Sequence, residues 1–363
     1  MSDNKKSLLI IGSVFGDYSR KKVFIDAWEN CTHAELVEIP NDHWRVWRFA
    51  WRLFRYGWGK DYVLVMQVAQ FFVLPVLIFR IFYHGQIIFD AHISIFDTYV
   101  NDRQLTSRYS LKAIYYYLID WLSCWVSDIL IFDTLGHQNY FIKTFHLTKV
   151  KNKKFLVIPV AVDWADLDNL CQKETKAREN FLEGKYHILF WGYYIPLQGV
   201  EYILGAANYL RDEERVHFTL IGSGQTKKQM LKLAEKLKLT NVTFLPAIDY
   251  EELFGYVNLA DICLGIFGGT DKARRVVPNK MVEAMACGKI LLTGRNQEMD
   301  KFFQDGREVV FCQLANAENL AQKIMEVCKY PDKFRNLGER AKEAIKKDFS
   351  RERQIEIIKN FLQ

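Results

Sequence analysis

Three cations, Lys272, Arg274 and Arg275, lie in a glycine-led loop, Gly268-Gly-Thr-Asp-Lys-Ala-Arg-Arg-Val-Val. The apolar run Asp261-Ile-Cys-Leu-Gly-Ile-Phe before it reads as a buried strand. The run after it, Pro278-Asn-Lys-Met-Val-Glu-Ala-Met-Ala-Cys-Gly288, reads as a helix with proline in its first turn, Met281, Ala284 and Met285 on one face and glycine at its end. Lys289-Ile-Leu-Leu-Thr-Gly is the next strand. Strand, glycine loop and helix N-terminus together make an anion site, because backbone N–H groups and the positive end of the helix dipole converge there. A second group of polar residues, Asp90, His92 and Asp97, follows the strand Gln86-Ile-Ile-Phe-Asp. Polar residues at the carboxyl end of an α/β strand face the ligand crevice. Beside His92, Asp90 and Asp97 are polar candidates for orienting an acceptor or taking up its proton. A lone histidine there also fits a plain loop hydrogen-bonder.

Strands alternate with helices along the whole chain, which predicts α/β architecture. Ser7-Leu-Leu-Ile-Ile-Gly is a first strand, leading into the loop Gly12-Ser-Val-Phe-Gly16; a helix over about 20–30 and the strand Ala34–Ile39 complete a doubly wound start. The loop lacks GxGxxG, and no fitting acidic residue ends the second strand, which argues against an NAD-dependent dehydrogenase. Gly12 and Gly16 either allow close approach of a phosphate or form a plain tight turn. Val63–Tyr83 is the stretch most like a membrane span, but Gln67, Gln70, Pro75 and Arg80 interrupt it, and a buried strand followed by a core helix is expected instead. Residues 110–127 read as a long core helix, apolar nearly all round, with one lipid- or acceptor-facing edge. Asp166-Leu-Asp168 has metal-binding spacing but falls in a polar linker, 163–184, and reads as solvated surface. The lysines from 227 to 238 read as a solvated helix face, and the tail from about 317 as helices without new strands.

The order of elements is similar to that of the family 4 glycosyltransferases, retaining enzymes of the GT-B fold, and the specific likeness lies in about 190–295, where Val282-Glu-Ala-Met-Ala-Cys-Gly-Lys-Ile-Leu-Leu-Thr-Gly294 is close to the family's usual run. The resemblance implies two Rossmann-like doubly wound domains facing a central cleft: residues 1–165 with a returning C-terminal helix at about 347–363, and a nucleotide-sugar-binding domain at 180–345. Phe155-Leu-Val-Ile-Pro-Val-Ala-Val-Asp163 resembles the family's crossing segment. The resemblance also implies that Glu283 binds the donor ribose, that His92 lies near the reacting sugar, and that Gly12, Gly16 and Gly222 approach the donor. Asn279 and Lys280 fall at the start of the donor-site helix.

Two departures stand out. The family carries an arginine and a lysine after the strand Tyr186–Gly192, where this chain has Tyr193, Tyr194 and Gln198. The family's paired glutamates are spaced E-x7-E, and the first falls here at Arg275, which cannot accept hydrogen bonds from sugar hydroxyls. Either Lys272, Arg274 or Arg275 replaces the missing diphosphate clamp, or Arg275 reads a carboxylate on the donor sugar through its bidentate fork, with Asp271 taking over some hydroxyl binding. Such enzymes use a nucleotide-sugar as donor substrate, with no other cofactor and no divalent metal.

Residues 44–58 carry a further signal. On a helix Arg45, Arg48, Arg52 and Arg55 fall within about 80° of one another, and Trp44, Trp47, Trp51, Phe54 and Trp58 form the adjoining stripe. Arginine beside tryptophan suits an interfacial helix, with rings at headgroup level and guanidinium groups on lipid phosphates. The alternative is a helix packed on the protein with snorkelling arginines; no nucleic-acid motif accompanies the pattern.

The bulk numbers agree with this reading. The chain has 363 residues, half of them hydrophobic and 25% charged, with a net charge of +6, enough for two ordinary domains and a mild bias toward anionic partners. The seven cysteines include no CxxC pair, which suits reduced thiols in a cytosol. Met1-Ser-Asp-Asn-Lys-Lys lacks the apolar region of a signal peptide. The expected function is transfer of a sugar to a lipid-linked or cell-surface glycan acceptor, in the cytoplasm at the inner face of the membrane. A catalytically inactive membrane-bound binding protein and a nucleotide-sugar epimerase are the alternatives.

Overall fold

The computed structural model describes residues 5–13, 19–39, 45–149, 152–172, 177 and 182–363. It forms two compact units, Met1–Pro159 with Glu352–Gln363, and Val160–Arg351.

The first unit is built on six parallel strands: β1 (Ser7–Ser13), β2 (His33–Ile39), β3 (Tyr62–Val65), β4 (Gln86–Asp90), β5 (Ile129–Phe132) and β6 (Lys154–Val157), in the order β2-β1-β3-β4-β5-β6. Leu8, Leu9, Ile10 and Ile11 are all fully buried, because both faces of this sheet are covered. Leu8 and Ile10 meet α1 (Ser19–Cys31). Leu9 and Ile11 meet a layer that contains α2 (Arg45–Gly57), α3 (Val73–Phe82), α4 (Leu111–Val126) and α5 (Leu135–Thr144). Gly12 is a strand residue paired with Glu38 rather than the start of a loop, and a Cβ there would lie 2.5 Å from Met66 Cβ. Packing against the end of β3 therefore accounts for that glycine; Gly16 lies outside the described residues.

The second unit repeats the plan, with β7 (Tyr186–Trp191), β8 (Val216–Ile221), β9 (Val242–Leu245), β10 (Ile262–Leu264), β11 (Ile290–Gly294) and β12 (Val310–Cys312) ordered β12-β11-β10-β7-β8-β9, all parallel. Its helices are α6 (Trp164–Gln172), α7 (Val200–Tyr209), α8 (Lys227–Lys236), α9 (Tyr250–Leu259), α10 (Asn279–Ala286), α11 (Ala317–Lys329), the single turn α12 (Pro331–Phe334) and α13 (Leu337–Asp348). The chain order reverses at β7, which has β8 on one side and β10 on the other. Ligands of open parallel sheets bind outside the carboxyl ends of the strands at such a switch point. The final helix, α14 (Arg351–Leu362), belongs almost entirely to the first unit: Ile358 is buried beside Ile10 and Ile129, and Gln354 Nε2 donates to the Pro159 carbonyl at 2.6 Å.

Two expectations change, and one strand was not anticipated. The polar stretch expected as a linker is helical from Trp164, with Leu167 buried against the core; the side chain of Asp168 lies outside the described residues. The segment 63–83 is a core helix on one side only, since Leu74, Ile78, Ile81 and Phe82 stand exposed. The short strand β12 has three residues, too few for a periodic signal.

His187 on β7 and His217 on β8 are register partners, both buried, and burial pushes both imidazoles below their usual range. Below the ordinary histidine value the unfolded chain then binds protons that the native state refuses. Stability is expected to be intact above about pH 6.5 and to fall as pH drops through it, seen as a lower Tm in a pH series of thermal melts, with His217→Gln flattening the decline.

Candidate active site

The loops after β7 and β10 are laced together, backbone to backbone. Phe267 N donates to the Gln198 carbonyl at 3.1 Å, and Gly268 N to that of Leu197 at 3.2 Å. Gly199, with φ +65, must be glycine on two counts: the left-handed backbone, and a Cβ that would sit 2.5 Å from Gly268 N. The turn Pro196–Gln198 thus abuts the cationic turn Lys272–Arg274, as the departures in sequence required if one is to substitute for the other. In that turn Arg274 is exposed, while Lys272 and Arg275 are half-buried.

Helix α10 begins beside this loop. Pro278 caps it in extended conformation, all eight helical residues are buried, and Gly288 closes the end with φ +69. Glu283 is buried and accepts a hydrogen bond from Tyr250 Oη at 2.9 Å, which fixes the carboxylate from α9. Lys280, one turn nearer the N-terminus, is the unusual member. Its Nζ is buried, sits 4.0 Å from the centre of the Phe190 ring, and has no hydrogen-bond acceptor among the described residues. Burial holds its ammonium well below the ordinary lysine range. Gln198 is equally enclosed, with Oε1 unpartnered among the described residues. Buried polar groups are ordinarily satisfied, so two orphans at one switch point mark a place built for a polar ligand.

Of the two tyrosines standing where the family's clamp would be, Tyr194 is fully buried, its ring packed in the core and its hydroxyl 3.3 Å from the Leu220 carbonyl, whereas Tyr193 is exposed. Of the two tyrosines, Tyr193 is the one placed to meet a ligand. Gly222 is needed for packing, because a Cβ there would lie 2.0 Å from the Gly192 carbonyl oxygen. Lys227 departs from the solvated face expected of it: its Nζ donates to the Gly222 and Leu245 carbonyls, both at 3.1 Å, and lies over the Tyr194 ring, tying the β8 turn to the end of β9.

In the first unit the carboxyl ends of β4 and β5 carry the second cluster. Asp90 and Asp97 are buried at 0% and 1% exposure, while the His92 side chain remains 13% open. Of the three predicted catalytic candidates, His92 alone presents a partly accessible side chain. Asp133, just past β5, faces two imidazoles: its Oδ1 is 2.8 Å from His137 Nδ1, and its Oδ2 3.5 Å from His92 Nδ1. The turn after His92 is held from behind by Asp120 of α4, which accepts from Ser94 Oγ at 2.7 Å, Phe96 N at 2.9 Å and Ile95 N at 3.2 Å. Burial raises the Asp120 carboxyl to about 7 against these hydrogen bonds. Asp97–Asp102 then winds as a π-helical turn, closed by Arg103 N donating to the Thr98 carbonyl five residues back at 2.9 Å, a form that recurs at functional sites. Sequence reasoning missed Asp120, Asp133 and His137. The rule that selected Asp90, a polar residue at the carboxyl end of a parallel strand, selects Asp133 as well.

On α2, Phe49 and Leu53 are buried, whereas Trp47, Trp51, Arg45, Arg48 and Arg55 are exposed and Arg52 donates to the Glu38 carbonyl. Trp44 lies outside the described residues. Among the described residues no helix is long and apolar enough to cross a membrane, and no group of three or more His, Cys, Asp or Glu side chains is arranged to hold a metal ion.

Residues 172–344 match the family described as glycosyl transferases group 1. A glycosyltransferase of Methanocaldococcus jannaschii is 22% identical over 323 residues, covering 86% of this chain and 78% of the relative. Among solved structures, Anabaena Alr3699/HepE in complex with UDP-glucose superposes with a TM-score of 0.76 at 13% identity, covering 98% of this chain and 99% of the other. Sucrose-phosphate synthase from Thermosynechococcus elongatus gives 0.75 at 14% identity, over 99% and 98%. With two six-stranded parallel sheets of matching architecture, and the matched segment spanning the β7/β10 switch point, the chain is a glycosyltransferase with the GT-B fold, and its residues 172–344 match glycosyl transferases group 1.

Proposed function

We propose that this enzyme moves a sugar from a nucleotide-sugar donor to a lipid-linked or cell-surface glycan acceptor, with retention, without a divalent metal, at the inner face of the cell membrane. The observation that carries the donor reading is the buried ammonium of Lys280, without a hydrogen-bond acceptor among the described residues, beside the cationic turn 272–275. The UDP-glucose bound by the Anabaena relative supports the ligand class. Glu283, braced by Tyr250, is the group for the ribose hydroxyls.

Breaking the bond between the anomeric carbon and the diphosphate oxygen leaves negative charge on the diphosphate. Lys280, Lys272 or Arg275, and the first N–H groups of α10 stabilise it. The acceptor oxygen bonds to the same face of the anomeric carbon, and its proton passes to the departing phosphate oxygen or to His92. Fixed cations replace a metal in this scheme, and Arg275 supplies one at the position where the family has a glutamate.

The test is a screen of UDP-, GDP-, dTDP- and ADP-sugars, uronic acids included, by thermal shift and by release of nucleoside diphosphate, with and without EDTA. One donor is expected to raise Tm and to be slowly hydrolysed, unaffected by EDTA. Arg275→Ala is expected to weaken that donor about tenfold, the loss of one charge-assisted hydrogen bond. If free nucleoside diphosphate weakens equally, Arg275 serves the diphosphate; if only an acidic sugar does, it reads a carboxylate. No thermal shift with any donor or free nucleotide would sink the donor assignment and leave an inactive binding protein.

A further inference from the structure

We infer that α2, α3 and α4 form one bilayer-docking face that seats the first unit on an anionic lipid surface, a reading that rests on the membrane half of the proposed function and not on the donor chemistry. Helix α3 packs between α2 and α4. Its inner stripe, Val73, Val76 and Phe79, is buried in the core. Its outer stripe is Leu74, Ile78, Ile81 and Phe82, at the i, i+4, i+7, i+8 spacing of one helix face, 52–71% exposed and without a polar residue. An ordinary surface helix carries charged or polar side chains there. The apolar surface continues onto both neighbours, through Trp47 and Trp51 of α2 and through Leu111, Ile114, Tyr115 and Leu118 of α4. A contiguous face of this kind marks an interaction site rather than scattered exposure.

The charge on this face selects the occupant. Neither α2 nor α3 contains an acidic residue, and the one carboxylate of α4, Asp120, is buried on its inner side. Arg45, Arg48 and Arg55 are exposed beside the tryptophans, and Lys112 beside Leu111. Apolar side chains flanked by cations, with no exposed carboxylate among them, match a headgroup layer bearing phosphate over hydrocarbon. Nucleic acid would use the cations but has no place for Leu74, Ile78 and Ile81. No described helix is long enough to span, so the face lies on the bilayer. Docking on the outer side of α4 sets the lipid against the helix whose inner side, through Asp120, holds the turn that follows His92. An acceptor anchored in the same leaflet is thereby brought to the end of β4.

The test is flotation of the full chain with phosphatidylcholine vesicles, with and without phosphatidylglycerol, alongside light scattering of the free protein and donor hydrolysis in solution. Binding is expected only with the anionic lipid. Ile78→Glu with Ile81→Glu is expected to lower partitioning at least about a hundredfold, from the apolar area lost. Arg45→Gln and Arg55→Gln are expected to cost roughly fivefold each. All are expected to keep the wild-type Tm and solution hydrolysis. Binding to neither vesicle, or binding untouched by the α3 pair, would overturn the inference, as would a dimer in light scattering that the same pair dissolves. Vesicle binding without hydrolysis of any donor would leave this face standing and remove the donor reading instead.

Discussion

Lys280→Met is expected to make the donor-free protein more stable and the enzyme about 100- to 1000-fold poorer in kcat/KM for its donor, the range seen when one group that stabilises a developing anion is removed. Both effects come from the same geometry. A buried ammonium with an aromatic ring at 4.0 Å and no acceptor among the described residues gives up hydration and recovers little of it, whereas a methionine of similar length fills the space at no polar cost. The stabilisation is expected to be about 1–3 kcal/mol, read as a rise in Tm. The pH dependence has a definite sign. In the donor-free fold Lys280 sits well below its ordinary value of 10.5, so between the two values the unfolded chain holds a proton that the native state lacks, and stability rises with pH through that window. A diphosphate reverses the balance by favouring the charged form. Donor binding then takes up a proton, and affinity improves as pH falls. Calorimetry in two buffers of different ionisation enthalpy would measure the proton. Finding none in the wild-type enzyme, or the same uptake in Lys280→Met, would remove Lys280 from the site.

The candidate site of the second unit was far more legible in the amino-acid sequence than that of the first, for a physical reason. Residues 261–294 run as strand, loop, helix and strand without interruption, so proline at one end of α10, glycine at the other and Glu283 between them report a local arrangement. The orphaned state of Lys280 was not legible, because it depends on Phe190 of β7, far earlier in the chain. The difference between Tyr193 and Tyr194 is likewise one of side-chain direction, which a two-residue string does not reveal. In the first unit the cluster is assembled from β4, α4 and β5, so Asp120 and Asp133 reach the His92 loop only through the sheet order. The docking face was half legible: α2 announced itself by its arginines and tryptophans, and α4 by being apolar nearly all round. α3 read as core because its inner and outer stripes are both apolar; only the packing separates them.

His92→Ala is expected to lower kcat by about 10²–10⁴-fold, the worth of a positioned proton acceptor, with KM for the donor nearly unchanged. Asp133 decides what His92 can do. Its carboxylate lies 3.5 Å from His92 Nδ1 and 2.8 Å from His137 Nδ1, so it steadies the first imidazole while the second holds the carboxylate in place. A carboxylate at that distance favours the protonated form of the ring. Asp133→Asn keeps the shape and removes the charge. It is expected to lower kcat by about 10–100-fold, the usual loss when the group that orients a functional imidazole is changed. It is also expected to move the acidic limb of the kcat profile to lower pH, because the neutral, proton-accepting ring then persists further into acid. His137→Gln, which leaves the charge but loosens its hold, is expected to reduce kcat less and to leave the limb nearly in place. A purely structural Asp133 would behave differently: its replacement by asparagine would lower Tm and scale the whole profile down without shifting it. An unshifted limb in Asp133→Asn, with His92→Ala still active, would move the proton acceptor away from the end of β4 and leave the departing phosphate as the base.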